Sequence, residues 1–228
     1  MFRTLIFDLD DTLLDTTRLL IPQAEREACE AMIKAGLNAN LEACLKTRRE
    51  LIKTNLRAQI FEASVRELGV RDGAIEKDVA QAGTRAFYER EVESNIYLDS
   101  AVTHLLEKMK TKYDLFLVTA GSVKTQAKKV EILKIAQYFK QIIYVDLSRG
   151  QTKAQAFEQV RELSGALPEN ILSIGDRIDT DVALAKSLGM KTCWVVKGEY
   201  AKLKPLSAFE EPDFQVKQVT QIESVCQL

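Results

Sequence analysis

Five short apolar runs, each bounded by turn residues or charges, set the strongest limit on how this chain folds. They read TLIFD, LFLVT, IIYVD, ILSIG and TCWVV, at residues 4–8, 115–119, 142–146, 171–175 and 192–196. Between the later runs, amphipathic helical stretches lie near residues 100–112, 122–136, 153–164 and 179–188. Strands buried on both faces that alternate with helices are typical of a parallel sheet with right-handed crossovers. The chain is therefore predicted to be an α/β protein.

One connection in this pattern is far too long for a simple crossover, since about a hundred residues separate the first run from the second. This segment is rich in Ala, Glu, Arg, Lys and Leu and contains no strand-like run. We predict an all-helical domain at residues 16–95, inserted into a core domain at residues 1–15 and 96–228. Its basic cluster is interpreted as a solvated helix face: Lys46, Arg48, Arg49, Lys53 and Arg57.

Composition excludes several classes of partner. The chain is 46% hydrophobic and 29% charged, with a formal net charge of −1, so no overall field attracts nucleic acid or an anionic membrane. No apolar run approaches the roughly 20 residues that a membrane span needs. We expect a cytoplasmic protein, monomeric or a small homo-oligomer, that binds neither nucleic acid nor membrane.

The scarcity of histidine removes whole mechanisms. His104 is the only histidine, and it falls in a helical pattern away from the strand ends. Catalytic Ser-His-Asp and Cys-His relays need an imidazole base, and the common zinc sites usually need one or more imidazole ligands. The four cysteines are widely spaced and are interpreted as reduced thiols. Chemistry in this chain is expected to depend on carboxylates, lysine and hydroxyl groups.

Such residues gather where the predicted strands end, which is where parallel sheets bind ligands. They are Asp8 and Asp10 after the first strand, Thr119 at the end of the second, Asp176 and Asp181 after the fourth, and Lys153 at the start of the preceding helix. Neighbouring carboxylates stay ionised cheaply only when a cation or a shared proton compensates them. Oxygen ligands without imidazole or thiolate favour Mg²⁺. We therefore predict a magnesium site at this edge.

With these residues, the chain resembles the haloacid dehalogenase-like (HAD) hydrolase superfamily, in its phosphatase branch. The matching motifs are FDLDDTL at 7–13, LVTAG at 117–121, Lys153, and IGDRIDTD at 174–181. The resemblance implies a Rossmann-like core and gives the helical insert the role of a type-one cap. It also implies a phosphatase that acts on a small phosphorylated metabolite.

Residue roles follow from the same resemblance. Asp8 is the expected nucleophile and Asp10 the general acid and base, with a raised pKa. Asp8, the backbone carbonyl of Asp10, and Asp176 are expected to hold Mg²⁺, while Asp181 orders the metal's waters. The remaining roles concern the substrate: Thr119 and the backbone N–H groups of Ala120 and Gly121 hold the phosphoryl oxygens, and Lys153 neutralises charge.

Two positions depart from the common pattern of the superfamily. Ala120 replaces the frequent Asn of the second motif, and Ala154 stands where many relatives have proline after the lysine. Three other lysines are therefore rivals of Lys153 for the motif position: Lys124, Lys128 and Lys129.

Alternative functions share parts of this site. A sugar phosphomutase keeps both aspartates of the first motif, and a non-catalytic protein that binds a phosphorylated ligand is a further alternative. A dehalogenase is disfavoured because that branch lacks an aspartate at position 10. A phospho-accepting receiver domain is disfavoured because its acceptor aspartate precedes its threonine, whereas Thr119 comes before Asp146 here.

Overall fold

The computed structural model describes residues 1–53, 59–92 and 95–228. Internal contacts divide the chain into two compact units. The first combines Met1–Leu19 with Val92–Leu228, and the second is Leu20–Glu91. Each unit has its own core and is described separately.

The first unit is built on a parallel sheet of six strands in the order β3-β2-β1-β4-β5-β6. The strands are β1 (Thr4–Phe7), β2 (Asp114–Ala120), β3 (Gln141–Val145), β4 (Ile171–Gly175), β5 (Lys191–Val195) and β6 (Phe214–Val216). The predicted α/β fold and its five strands are confirmed. The short edge strand β6 was not predicted, because three residues in a polar stretch give no distinct apolar run.

Strand β1 lies in the middle of the sheet, between β2 and β4, and its carboxyl end lies where the candidate site residues gather. All four residues of β1 are buried, which explains its unbroken run of apolar residues and threonine. In the register, Phe7 pairs with Leu117 on one side and with Ile174 on the other. Because the three strands are parallel, the segments that follow β1, β2 and β4 leave the sheet next to one another.

Helices fill the connections between these strands and form the second unit. They are α1 (Thr16–Leu19), α2 (Ile21–Lys34), α3 (Leu41–Leu51), α4 (Ile60–Leu68), α5 (Glu76–Tyr88), α6 (Ser100–Met109), α7 (Val123–Leu133), α8 (Lys153–Ser164), α9 (Ala183–Ser187) and α10 (Ile222–Val225). A π-helical turn at Ile178–Val182 precedes α9, in the region predicted as one helix. His104 lies exposed on α6.

The second unit consists of α2 to α5 around its own apolar core. Met32 and Phe61 pack there against Gly83, where an added Cβ would stand 2.7 Å from either side chain. Arg48 departs from the predicted solvated face: it is buried, and its guanidinium lies 4.6 Å from the ring centre of Phe61. The other described members of the basic cluster are exposed, and Arg57 lies outside the described residues. That this unit serves as a cap stays a prediction.

Two further findings concern membrane-crossing helices and the cysteines. Among the described residues, no helix combines the length and apolar character needed to cross a membrane. All four cysteines are buried free thiols.

Candidate active site

Three buried carboxylates form the centre of the site, at the edge where β1 and β4 end. Asp8, Asp176 and Asp181 each place one carboxylate oxygen within 4.8 Å of the other two. Their exposed fractions are 7%, 4% and 2%. A cluster of this kind is stable only when positive charge lies close to it.

Lys153 supplies one positive charge. Its Nζ donates to Asp8 Oδ1 at 2.6 Å and to Asp181 Oδ1 at 2.5 Å. The side chain projects from the first turn of α8, which a capping box of Thr152 and Gln155 fixes in place. Burial acts to lower the pKa of Lys153, but the carboxylates of Asp181 and Asp8 outweigh it and raise that pKa above its ordinary value. Among the candidate lysines, Lys153 is thus the one placed against Asp8.

One lysine does not compensate three carboxylates. Burial raises the pKa of Asp8 to about 7, although Lys153 opposes the rise. Burial, together with the charges of Asp8 and Asp181, raises the pKa of Asp176 to about 9. Both shifts mean that burial and the repulsion between the carboxylates outweigh the single positive charge of Lys153. Oxygen donors in this state match a hard divalent cation, so the residues present fit a metal of that class.

Local backbone geometry brings Asp181 beneath β4. The π-helical turn begins directly after Arg177, whose backbone N–H donates to Asp181 Oδ2 at 3.2 Å. Asp181 packs so closely on Gly175 that any added Cβ would overlap its carboxylate. From the neighbouring strand β5, Trp194 Nε1 donates to the backbone carbonyl of Asp176 at 2.8 Å. The glycine of the fourth motif is therefore a steric requirement of the acidic cluster.

Asp11 shapes the turn after β1. Its φ is 53°, in the left-handed region that few residues other than glycine adopt. The carboxylate accepts hydrogen bonds from the backbone N–H and the hydroxyl of Thr17, both at 2.7 Å. These bonds fix the loop between β1 and α1 that carries Asp10.

Asp10 contacts a different set of residues from Asp8. Its Oδ1 accepts from Lys129 Nζ at 2.6 Å and from Thr16 Oγ1 at 2.5 Å. Its Oδ2 accepts from Gln126 Nε2 at 2.8 Å. Burial acts to raise the pKa of Asp10, but Lys129 and the hydrogen bonds outweigh burial and lower that pKa. The expected raised pKa of Asp10 is therefore wrong for this arrangement.

The second motif lies at the end of β2. Thr119 is buried, and its hydroxyl accepts a hydrogen bond from Gln126 Nε2. The backbone N–H of Gly121 donates to the carbonyl of Val145 at 3.0 Å, one residue beyond the β2–β3 ladder. This N–H group is therefore engaged in the sheet, which corrects the expectation that it faces a phosphoryl group.

The side chains of Gln126 and Lys129 were missed as parts of the site. The sequence pattern indicates Lys129 only as a rival of Lys153 and gives Gln126 no role. A signal was present, since polar residues three positions apart share one face of a helix and α7 follows β2 directly.

Comparison with known proteins bears on the family to which the chain belongs. A family model described as haloacid dehalogenase-like hydrolase matches residues 5–195. The chain is 29% identical to the glyceraldehyde 3-phosphate phosphatase of Pyrococcus furiosus, over 98% of this chain and 92% of that protein. It is 25% identical to the human N-acylneuraminate-9-phosphatase, over 99% and 94% of the two chains. In structure it is similar to the magnesium-bound HAD-hydrolase YfnB of Bacillus subtilis, with a TM-score of 0.66 at 22% identity and coverage of 98% and 97%.

The chain belongs to the haloacid dehalogenase-like hydrolase family. The match confirms the family that the motifs indicated, and the six-stranded parallel sheet confirms the Rossmann-like core that this family implied. The proteins of Pyrococcus furiosus and human named above are phosphatases of small phosphorylated compounds, which agrees with the predicted enzyme class, a phosphoric monoester hydrolase.

Proposed function

We propose that this chain is a magnesium-dependent phosphatase that hydrolyses a small phosphomonoester through an aspartyl phosphate on Asp8. The observation that carries the proposal is the buried cluster of Asp8, Asp176 and Asp181 with Lys153 across it. The cluster combines a nucleophile, a fixed ammonium group and a surplus of negative charge. Phosphoryl transfer to a carboxylate needs all three, because two anions must approach each other.

Mg²⁺ is the cation that these residues fit best. Asp8, the backbone carbonyl of Asp10, and Asp176 would be its protein ligands, and Asp181 would hold its waters. When bound, the ion would neutralise charge on the nucleophile and on the phosphoryl oxygens. Magnesium accepts few protein ligands and keeps several waters, which suits a cluster that also has to admit a phosphate.

Each remaining step belongs to a side chain of this protein. A carboxylate oxygen of Asp8 forms a bond to phosphorus as the ester P–O bond breaks, and Asp10 gives the departing alkoxide its proton. For this step Asp10 has to leave its ion pair with Lys129 and take up a proton first, because in the arrangement described above that contact outweighs burial and lowers the pKa of Asp10. A water molecule then attacks phosphorus, Asp10 takes its proton, and the bond between Asp8 and phosphorus breaks. The hydroxyl of Thr119 donates a hydrogen bond to a phosphoryl oxygen, and the ammonium group of Lys153 balances the negative charge of Asp8 and the phosphoryl group in both steps.

The relatives suggest a substrate class. Glyceraldehyde 3-phosphate and N-acylneuraminate 9-phosphate, which appear in the names of two relatives, both carry the phosphate on a primary carbon of a hydroxylated chain. We infer that the substrate of this chain belongs to the same class. The helical unit would select among such compounds.

Metal removal tests the proposal. We expect purified protein to release phosphate from p-nitrophenyl phosphate and from a panel of primary sugar phosphates in the presence of Mg²⁺. Excess EDTA should reduce release to background, and added Mg²⁺ should restore it. Release that is equal with and without EDTA, or no release from any compound by folded protein, would contradict the proposal. Transfer of the phosphoryl group to a second sugar hydroxyl instead of water would indicate the phosphomutase alternative.

A further inference from the structure

Two cysteine side chains contact each other inside the second unit. Cys29 lies on α2 and Cys44 on α3, 15 positions later, and their Sγ atoms are 2.6 Å apart. Both residues are fully buried in the apolar core of that unit. Two thiols in direct contact on neighbouring helices are placed for a disulfide bond.

A buried cation lies beside this thiol pair. Arg48 follows Cys44 by four positions on α3, so the two side chains leave the helix on one face. Arg48 is 2% exposed, and among the described residues its Nε and Nη1 have no hydrogen-bond partner. Its Nη2 lies 3.9 Å from Glu25 Oε1, which is beyond hydrogen-bond distance. Glu25 therefore compensates the positive charge of Arg48 only in part.

This charge acts on the thiol pair unequally. The hydrogen bond with Cys29 and the charge of Arg48 outweigh burial and lower the pKa of Cys44. The same hydrogen bond, together with burial, raises the pKa of Cys29. One sulfur is thus favoured as the thiolate, the form that reacts with oxidants, while the other stays a thiol next to it.

The other two cysteines provide a comparison within the same protein. Cys193 on β5 and Cys226 are buried in the first unit and hydrogen-bond to each other. That hydrogen bond and burial raise the pKa of Cys193, and no cation in the described part of the chain opposes the rise. This second pair has the contact between thiols without a counterpart of Arg48.

We propose that Cys29 and Cys44 form an oxidisable thiol pair, a modification site at which a small peroxide produces a disulfide between α2 and α3. The Cys44 thiolate attacks one oxygen of hydrogen peroxide, and the O–O bond breaks; the hydroxide that leaves takes up a proton and becomes water. The Cys29 sulfur then attacks the resulting sulfenic acid, and the S–S bond forms as the S–O bond breaks. The thiol proton of Cys29 leaves with the hydroxyl group as a second water. The two sulfurs are oxidised and the peroxide is reduced.

Peptide mapping tests this modification. Reduced, desalted protein would be exposed to hydrogen peroxide, sampled at intervals into denaturant with N-ethylmaleimide, and digested with trypsin without reductant. Trypsin separates the two cysteines, which fall in the peptides 27–34 and 35–46. We expect these peptides to appear as one linked species that dithiothreitol separates. The link should form at least about tenfold faster than the link between Cys193 and Cys226.

Substitutions on α3 test the role of the buried cation. Arg48→Met should slow formation of the linked species by about tenfold, because the thiolate loses its counter-charge. Arg48→Lys keeps the charge and should retain part of the rate. Arg49→Met is the matched control, since Arg49 lies on the same helix and is exposed, and it should match the wild type. In Cys29→Ser, Cys44 should stop at the sulfenic acid, which dimedone labels.

Several outcomes would overturn the inference. Cys29 and Cys44 that both remain open to N-ethylmaleimide while Cys193 and Cys226 become linked would remove the modification site, as would a link between two separate chains. Equal rates for the two pairs, or an unchanged rate in Arg48→Met, would remove the role of Arg48. If Arg48→Met does not fold, the comparison of the two pairs within the wild type decides. The result is independent of phosphatase activity, because thiols and linked peptides are measured directly.

Discussion

Replacement of Asp8 by asparagine is expected to abolish phosphate release while the protein stays folded. The change keeps the size of the side chain and removes the nucleophilic oxygen. Loss of a catalytic nucleophile lowers turnover by about 10⁴-fold or more. The amide oxygen of the substituted side chain would still accept a hydrogen bond from Lys153, which lies 2.6 Å from the carboxylate of Asp8. Phosphate release measured beside circular dichroism and thermal unfolding checks both parts of this expectation.

Asp114, a carboxylate at the amino-terminal end of the strands of the same sheet, provides the control. Asp114 begins β2 and pairs with Lys140 at 2.6 Å. Asp114→Asn should leave kcat and KM close to the wild-type values. Substantial turnover by the Asp8→Asn variant would remove Asp8 from the role of nucleophile. Equal losses in both variants would show that the effect is not specific to the site.

The Lys153→Met substitution is expected to affect activity and stability together. It leaves Asp8 and Asp181 buried without their shared counter-charge. Removing one partner of a buried ion pair costs about 3–5 kcal/mol of the free energy of unfolding. We expect kcat/KM to fall by about 10³-fold, the order of loss when a group that stabilises transition-state charge is removed.

The change in melting temperature on addition of Mg²⁺ is a second test of the Lys153→Met variant. A divalent cation supplies positive charge to the same carboxylates, so Mg²⁺ should raise the melting temperature of Lys153→Met more than that of the wild type. Lys128→Met, with an exposed lysine, is the control and should match the wild type. A variant with normal stability and activity would show that the ammonium group of Lys153 is not needed. The motif lysine would then have to be sought elsewhere.

Topology explains how much of the site the sequence could predict. The apolar runs predicted five strands of a parallel sheet, and parallel strands bring their carboxyl ends to one edge. Asp8 and Lys153 lie 145 positions apart in the chain, yet their placement on this edge followed from the pattern alone. The motifs after β1 and β4 were specific enough to indicate the family.

Finer features depended on packing that the pattern does not encode. The π-helical turn that brings Asp181 against Gly175 is a local deviation from an otherwise helical stretch. The contact of Lys129 with Asp10 depends on which face of α7 turns toward β1, and the amphipathic pattern of α7 was explained without any ligand. The lowered pKa of Asp10 follows from that contact, because Lys129 and the hydrogen bonds outweigh burial. The burial of Arg48 likewise depends on where Phe61 lies.

The measurement that tests the central claim most directly is a search for a phosphoryl group on Asp8 during turnover. Protein mixed briefly with Mg²⁺ and p-nitrophenyl phosphate would be quenched in acid, in which acyl phosphates persist, and digested with pepsin, which cleaves in acid. Tandem mass spectrometry can then sequence the peptide that contains Asp8. We predict one added phosphoryl group on Asp8, sensitive to hydroxylamine and absent when EDTA is present. Active protein that carries no phosphoryl group on Asp8, or carries it on another residue, would contradict the account.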